Sequence, residues 1–107
     1  MSLHATTFTH LVTSLLALDG NARETVRERS VLISNLSDCP LTGAYDFARR
    51  YGALSTEQAE AFFDFAAARY KAGPSAVAYR LLEVAMLAYQ GEDQRRADQR
   101  RESLEDY

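Results

Sequence analysis

One cysteine, two prolines, five glycines and no tryptophan are spread over 107 residues. A lone Cys39 excludes an internal disulfide and any cysteine-based metal site. With so few helix breakers, and no alternating Val/Ile/Thr stretch of useful length, the chain has little to build a sheet from. Nowhere do ~18 apolar residues follow one another, so no membrane span is expected. The first residues, Met1-Ser2-Leu3-His4, lack a basic segment followed by an apolar run, and a cytoplasmic protein is expected. The net charge of −3 is mild, giving no general attraction to nucleic acid or to anionic membranes. The basic residues are arginines apart from Lys71; with so much alanine, this resembles the coding bias of a GC-rich bacterial or phage genome.

What remains is an alanine-rich chain, 47% hydrophobic and 25% charged. It is long enough for one core without metal or disulfide support. We therefore expect an all-α fold: a compact bundle of about five helices over residues 1–91, followed by a charged, poorly ordered tail over 92–107.

The organising stretch is 54–90, read as two helices meeting at Ala72-Gly73-Pro74. Ser55-Thr56-Glu57-Gln58 has the spacing of a capping box. Ala59, Phe62, Phe63, Ala66, Ala67 and Tyr70 then recur at helical spacing, with Phe65 widening the stripe. A helix so broadly apolar should touch neighbours on several sides, which places it at the centre of the bundle. Gly73 is expected in the left-handed conformation, with Pro74 in the first turn of the next helix. That helix turns Val77, Ala78, Leu81, Ala85 and Ala88 to one side, with Leu82 and Val84 at its margins.

Upstream, Phe8, Leu11, Val12, Leu15, Leu16 and Leu18 mark a first helix over 5–18. A second, over 22–36, is expected to be capped by Asn21 with Glu24 at the box position. Its first half, with Arg23, Glu24, Arg27, Glu28 and Arg29, reads as a solvated mixed-charge surface, and Val31, Leu32, Ile33 and Leu36 as the buried half. A short third helix over 41–51 offers Leu41, Ala44, Tyr45, Phe47, Ala48 and Tyr51 to the core and stops at Gly52. Beyond Gly91 the unit Asp-Gln-Arg-Arg occurs twice, five residues apart. That period builds no continuous helical face, so a frayed helical extension or a disordered tail is expected.

Chemistry finds few handles. His4 and His10 fall on different helix faces, and no Cys/His/Asp grouping has metal-ligand spacing. Cys39 has no histidine near it in sequence to activate it. Glu57, Glu60 and Asp64 read as a solvated strip. No catalytic residue, metal or cofactor is expected, and the chain reads as a non-enzyme.

The side of the last helix opposite its core stripe is less polar than a solvent face should be, with Tyr79, Met86 and Leu87 mixed among Arg80 and Glu83. Tyr, Met and Arg are enriched at protein interfaces. We expect a partner-binding surface of Tyr79, Arg80, Glu83, Met86 and Leu87, with Arg49 and Arg50 adjoining it. The partner is another protein, or a second copy in a homodimer. The expected class is a small bacterial or phage adaptor or inhibitor of a larger machine, such as the nucleic-acid-processing targets of anti-CRISPR proteins.

A second reading starts from Ala48-Arg49-Arg50-Tyr51-Gly52 followed by Leu54 and a capped helix, which resembles the turn of helix-turn-helix DNA-binding domains. It implies a transcription regulator with the 56–72 helix in a DNA groove. Because Glu57 and Glu60 would face phosphates there, with no Lys or Arg before Arg69, direct nucleic-acid binding ranks below protein contact. A third reading, a subunit of a nucleoprotein assembly, would set Arg23, Arg27, Arg49 and Arg50 on phosphates.

Overall fold

A computed structural model describes residues 5–51 and 54–105. Among them the fold is all-α, with α1 at Ala5–Ala17, α2 at Arg23–Ser37, α3 at Ala44–Tyr51, α4 at Thr56–Ala72 and α5 at Ala76–Glu105. His4, Gly52 and Tyr107 lie outside the described residues.

The helix ends follow local chemistry, with three departures from expectation. The capping box of α4 is formed: Gln58 N donates to Ser55 Oγ at 3.1 Å, and Ser55 N donates to Gln58 Oε1 at 3.3 Å. At the other end Gly73 is extended (φ −155°) rather than left-handed, and its amide closes the last turn on Arg69 O at 3.0 Å. Ser75, not Pro74, starts α5, because its hydroxyl accepts the Ala78 amide at 3.1 Å. Proline cannot supply that oxygen, so it sits one residue further out. Asn21 does not cap α2; Ala22 holds the cap position with no side-chain bond. The preceding turn is fixed from elsewhere, by the Arg29 guanidinium donating to Gly20 O at 2.7 Å, with Gly20 in the left-handed region (φ 82°).

The larger departure concerns which helix is central. Among the described residues α5 packs against α2, α3 and α4, and α1 against the same three, whereas α4 packs against α5 and α1 only. At 30 residues α5 is long enough to show different stretches to different neighbours. Of the aromatics of α4, Phe62 is fully buried, while Phe63 and Phe65 sit half-buried at its margins. On α5 the buried stripe is Ala78, Leu81, Val84, Ala85 and Ala88, while Val77, expected inside, is exposed. Ala and Val at adjacent positions give nearly the same periodic signal, so spacing alone does not decide between them.

The middle of the core is aromatic. Phe8 of α1 meets Phe47 edge-on at 5.4 Å, Tyr51 at 5.8 Å and Phe62 at 6.3 Å between ring centroids. One α1 side chain thus joins α3 to α4, which share no packing of their own among the described residues.

The division expected at Gly91 leaves no mark on the backbone. α5 runs through it to Glu105, and both Gly91 and Glu92 are buried. Of the two outcomes expected for the tail, the helical extension is the one observed. It is held by Glu92, whose carboxylate accepts from Arg95 Nε at 2.9 Å and Thr56 Oγ1 at 2.9 Å. Arg96 Nε lies 3.4 Å from the same carboxylate, within ion-pair reach but without hydrogen-bond alignment. The first Asp-Gln-Arg-Arg unit therefore pairs within its own helix. The resulting body measures 56 × 26 × 24 Å.

Candidate functional site

Opposite its core stripe, α5 keeps large side chains in water. Tyr79 is 53% exposed and Met86 42% exposed, while Glu83 and Leu87 are half-buried. Tyr79 leans on Tyr70 of α4, with centroids 5.8 Å apart. Around Met86 a shallow groove of about 260 Å³ is lined by Leu41, Thr42, Glu83, Met86, Leu87 and Gln90. The α2–α3 connection forms its far wall. Four of the five α5 residues expected as a contact surface are thus open to a partner to some degree.

The fifth, Arg80, has other work. Its Nε donates to Ser37 O and its terminal nitrogen to Cys39 O, both at 3.2 Å. A guanidinium on the last carbonyl of α2 and on one in the turn that follows satisfies groups that have no partner inside the helix. Sequence could not reveal this, because donor and acceptor are 43 residues apart.

Arg49 and Arg50 are both exposed on α3, and neither lines the groove beside Met86. Arg50 lies over the Tyr51 ring, 5.6 Å from its centroid. Arg49 lines a separate groove of about 310 Å³ with Gly91, Arg95, Asp98 and Glu102 of α5. Those four positions lie about 150° around the helix from Met86 at ~100° per residue. Arg23 and Arg27 are also exposed, on the open half of α2. Further along α2, Ile33 flanks Ala78, near the start of α5, while Arg49 flanks residues 91–102. Arg23 and Arg27 thus lie on α2 and Arg49 and Arg50 on α3, two helices with no close backbone approach among the described residues.

The helix-turn-helix resemblance does not extend to the packing. In that motif the second helix packs across the first; here α3 and α4 share no contact among the described residues. The start of α4, which would have to face bases, is tied to its own bundle. Gln58 Nε2 donates to Thr13 Oγ1 of α1 at 3.2 Å, and Thr56 donates to Glu92.

The reactive groups are inward or isolated. Cys39 is fully buried, and that burial pushes its thiol up to about 12, an effect that nearby Arg80 reduces and Asp38 adds to. The thiolate is the nucleophile, so native protein should react with a disulfide reagent only as fast as it opens. Full labelling within the mixing time in buffer, rather than only after urea is added, would show the thiol to be accessible. The Tyr51 hydroxyl is buried without a hydrogen-bond partner among the described residues, and burial raises its pKa too. Among the described residues no group of three or more His, Cys, Asp or Glu is placed to hold a metal ion, and no helix is long and apolar enough to cross a membrane.

Sequence reasoning missed the Glu92 network and Tyr89, which is 37% exposed against Phe63 at 5.8 Å. The first was hidden in a charged run; the second had the spacing of neither stripe. No family model, curated protein or solved structure matches the chain.

Proposed function

We propose that this is a non-catalytic protein–protein interaction protein whose contact surface is the outer side of α5 around Tyr79, Glu83, Met86 and Leu87. The observation that carries the reading is the exposure of Tyr79 and Met86 on one side of a helix whose other side is core. Large aromatic and thioether side chains left in water serve contact better than solubility. The groove beside Met86 offers a recess for an incoming side chain. The reading suits a small adaptor or inhibitor of a larger bacterial or phage machine, which needs a surface and no chemistry of its own.

The test is site-specific photo-crosslinking in the native host, with the reactive side chain at position 79 or 86 and at exposed Glu57 of α4 as control. Discrete protein adducts from 79 and 86, absent from 57, support the surface. No adducts from either, or the same pattern from all three, would overturn it.

A further inference from the structure

Resting on that reading, we infer that the occupant of the α5 surface is a second copy of this chain, its α5 lying antiparallel to the first. The outer line of α5 runs Glu83, Met86, Gln90, Asp93, Ala97, Arg100 at alternating steps of three and four. This is the spacing that keeps one seam facing a partner helix. Gln90, Asp93 and Arg100 are exposed, Met86 is 42% exposed, and Glu83 and Ala97 are half-buried. The line is complementary to its own reverse. In an antiparallel pair Glu83 meets Arg100 of the second copy, Met86 meets Ala97, and Gln90 meets Asp93, each contact occurring twice about the two-fold axis. Opposite charges meet, and the long methionine falls against the smallest side chain of the line.

Two further observations favour this arrangement. Neither Glu83 nor Arg100 has an ion-pair partner within its own chain among the described residues, although Arg95 and Arg96 close by are paired. A parallel pair would set Glu83 on Glu83 and Arg100 on Arg100, so charge selects one orientation. The core stripe of α5, with Leu81, Val84 and Ala88, faces away from this line. The two bundles therefore lie on opposite sides of the paired helices.

From Glu83 to Arg100 the paired line is about 25 Å long, and a helix presents a strip about 10 Å wide, roughly 250 Å² per partner. That is well short of the ~800 Å² per partner of a standard interface. The expected dimer is therefore weak and concentration-dependent.

Sedimentation velocity on the full chain over a wide concentration range tests this. The unmodified chain should shift from monomer to dimer, and Glu83→Arg and Arg100→Glu should each raise the dissociation constant at least about tenfold, since each reverses two ion pairs. Neither side chain belongs to the core, so far-ultraviolet circular dichroism should be unchanged. An equimolar mixture of the two variants should recover the dimer, because both cross-pairs are then again Arg against Glu. A dimer insensitive to both variants overturns the register, and failure of the mixture to recover overturns the antiparallel pairing. A chain that stays monomeric while position 86 crosslinks a different protein overturns this inference and leaves the contact surface standing. Monomer without any crosslink overturns both.

Discussion

Phe8→Ala lowers the unfolding free energy by about 3–5 kcal/mol, as expected for a phenylalanine truncated in a close-packed core. Phe8 is fully buried, and its ring touches Phe47, Tyr51 and Phe62 on two other helices. Besides the lost transfer energy, edge-on and tilted ring pairs add about 0.5–1.5 kcal/mol each. Surrounding helices can close only part of the gap, because the backbones of α3 and α4 make no close approach to one another among the described residues. A domain of this size has about 5–15 kcal/mol in total, and each kilocalorie moves the midpoint by roughly 4–8 °C. Thermal unfolding followed by circular dichroism should show a drop of about 15–30 °C. The effect should be uneven. α3 has eight residues, far too few to be helical without tertiary support, so its amides should lose exchange protection first. Tyr79→Ala, on the exposed side, should cost about 0.5 kcal/mol. A Phe8→Ala penalty as small as that would mean that the aromatic core does not join the helices.

How much of this could be read beforehand differs between the helices and what surrounds them. The capping box at Ser55, the stripe Phe8, Val12, Leu15 and the α5 stripe through Leu81, Ala85 and Ala88 depend on periodicity and near-neighbour chemistry, which a sequence carries openly. Their burial follows. That α5 meets three helices and α4 two among the described residues depends on which stretch of a long helix each neighbour occupies. Apolar width along α4 cannot supply that. Arg80 read as a contact residue because its spacing put it beside Tyr79 and Glu83. Its bonds to Ser37 O and Cys39 O follow from the path of a loop 41 to 43 residues upstream. The outer face of α5 was legible as a side too apolar for water. Its self-complementarity was not, because it requires the helix to continue through Gly91. A glycine before a charged run reads as an end, yet here a buried contact carries the helix past it.

That contact is Glu92, and Glu92→Gln should lower stability at neutral pH while leaving it nearly unchanged in acid. Burial by itself pushes the Glu92 carboxyl up. Hydrogen bonds from Arg95 and Thr56, with the charges of Arg95 and Arg96, outweigh it and hold the carboxyl below its ordinary value of 4.5. A carboxyl that ionises more readily folded than unfolded adds stability in its charged form. The contribution is complete above the unfolded value and is lost as pH falls through the folded one. Glutamine keeps the shape and an oxygen for the Thr56 hydroxyl but gives up both ion pairs. Both arginines are about 40% exposed, so water takes over much of their solvation. The cost at neutral pH should then be about 1–2 kcal/mol, near the lower end for a charged hydrogen bond. Urea unfolding across the acid range checks this. The unmodified chain should lose stability as pH drops below the ordinary carboxylate range, the variant less so, and the gap should close. A gap independent of pH would mean that Glu92 acts through shape alone. The loss should also be local: with Thr56 no longer tied to a charge, helicity should fall most in residues 92–105, taking Ala97 and Arg100 with it. Glu92→Gln would then weaken self-association without touching the paired surface, which places the anchor of the long helix upstream of the contact it supports.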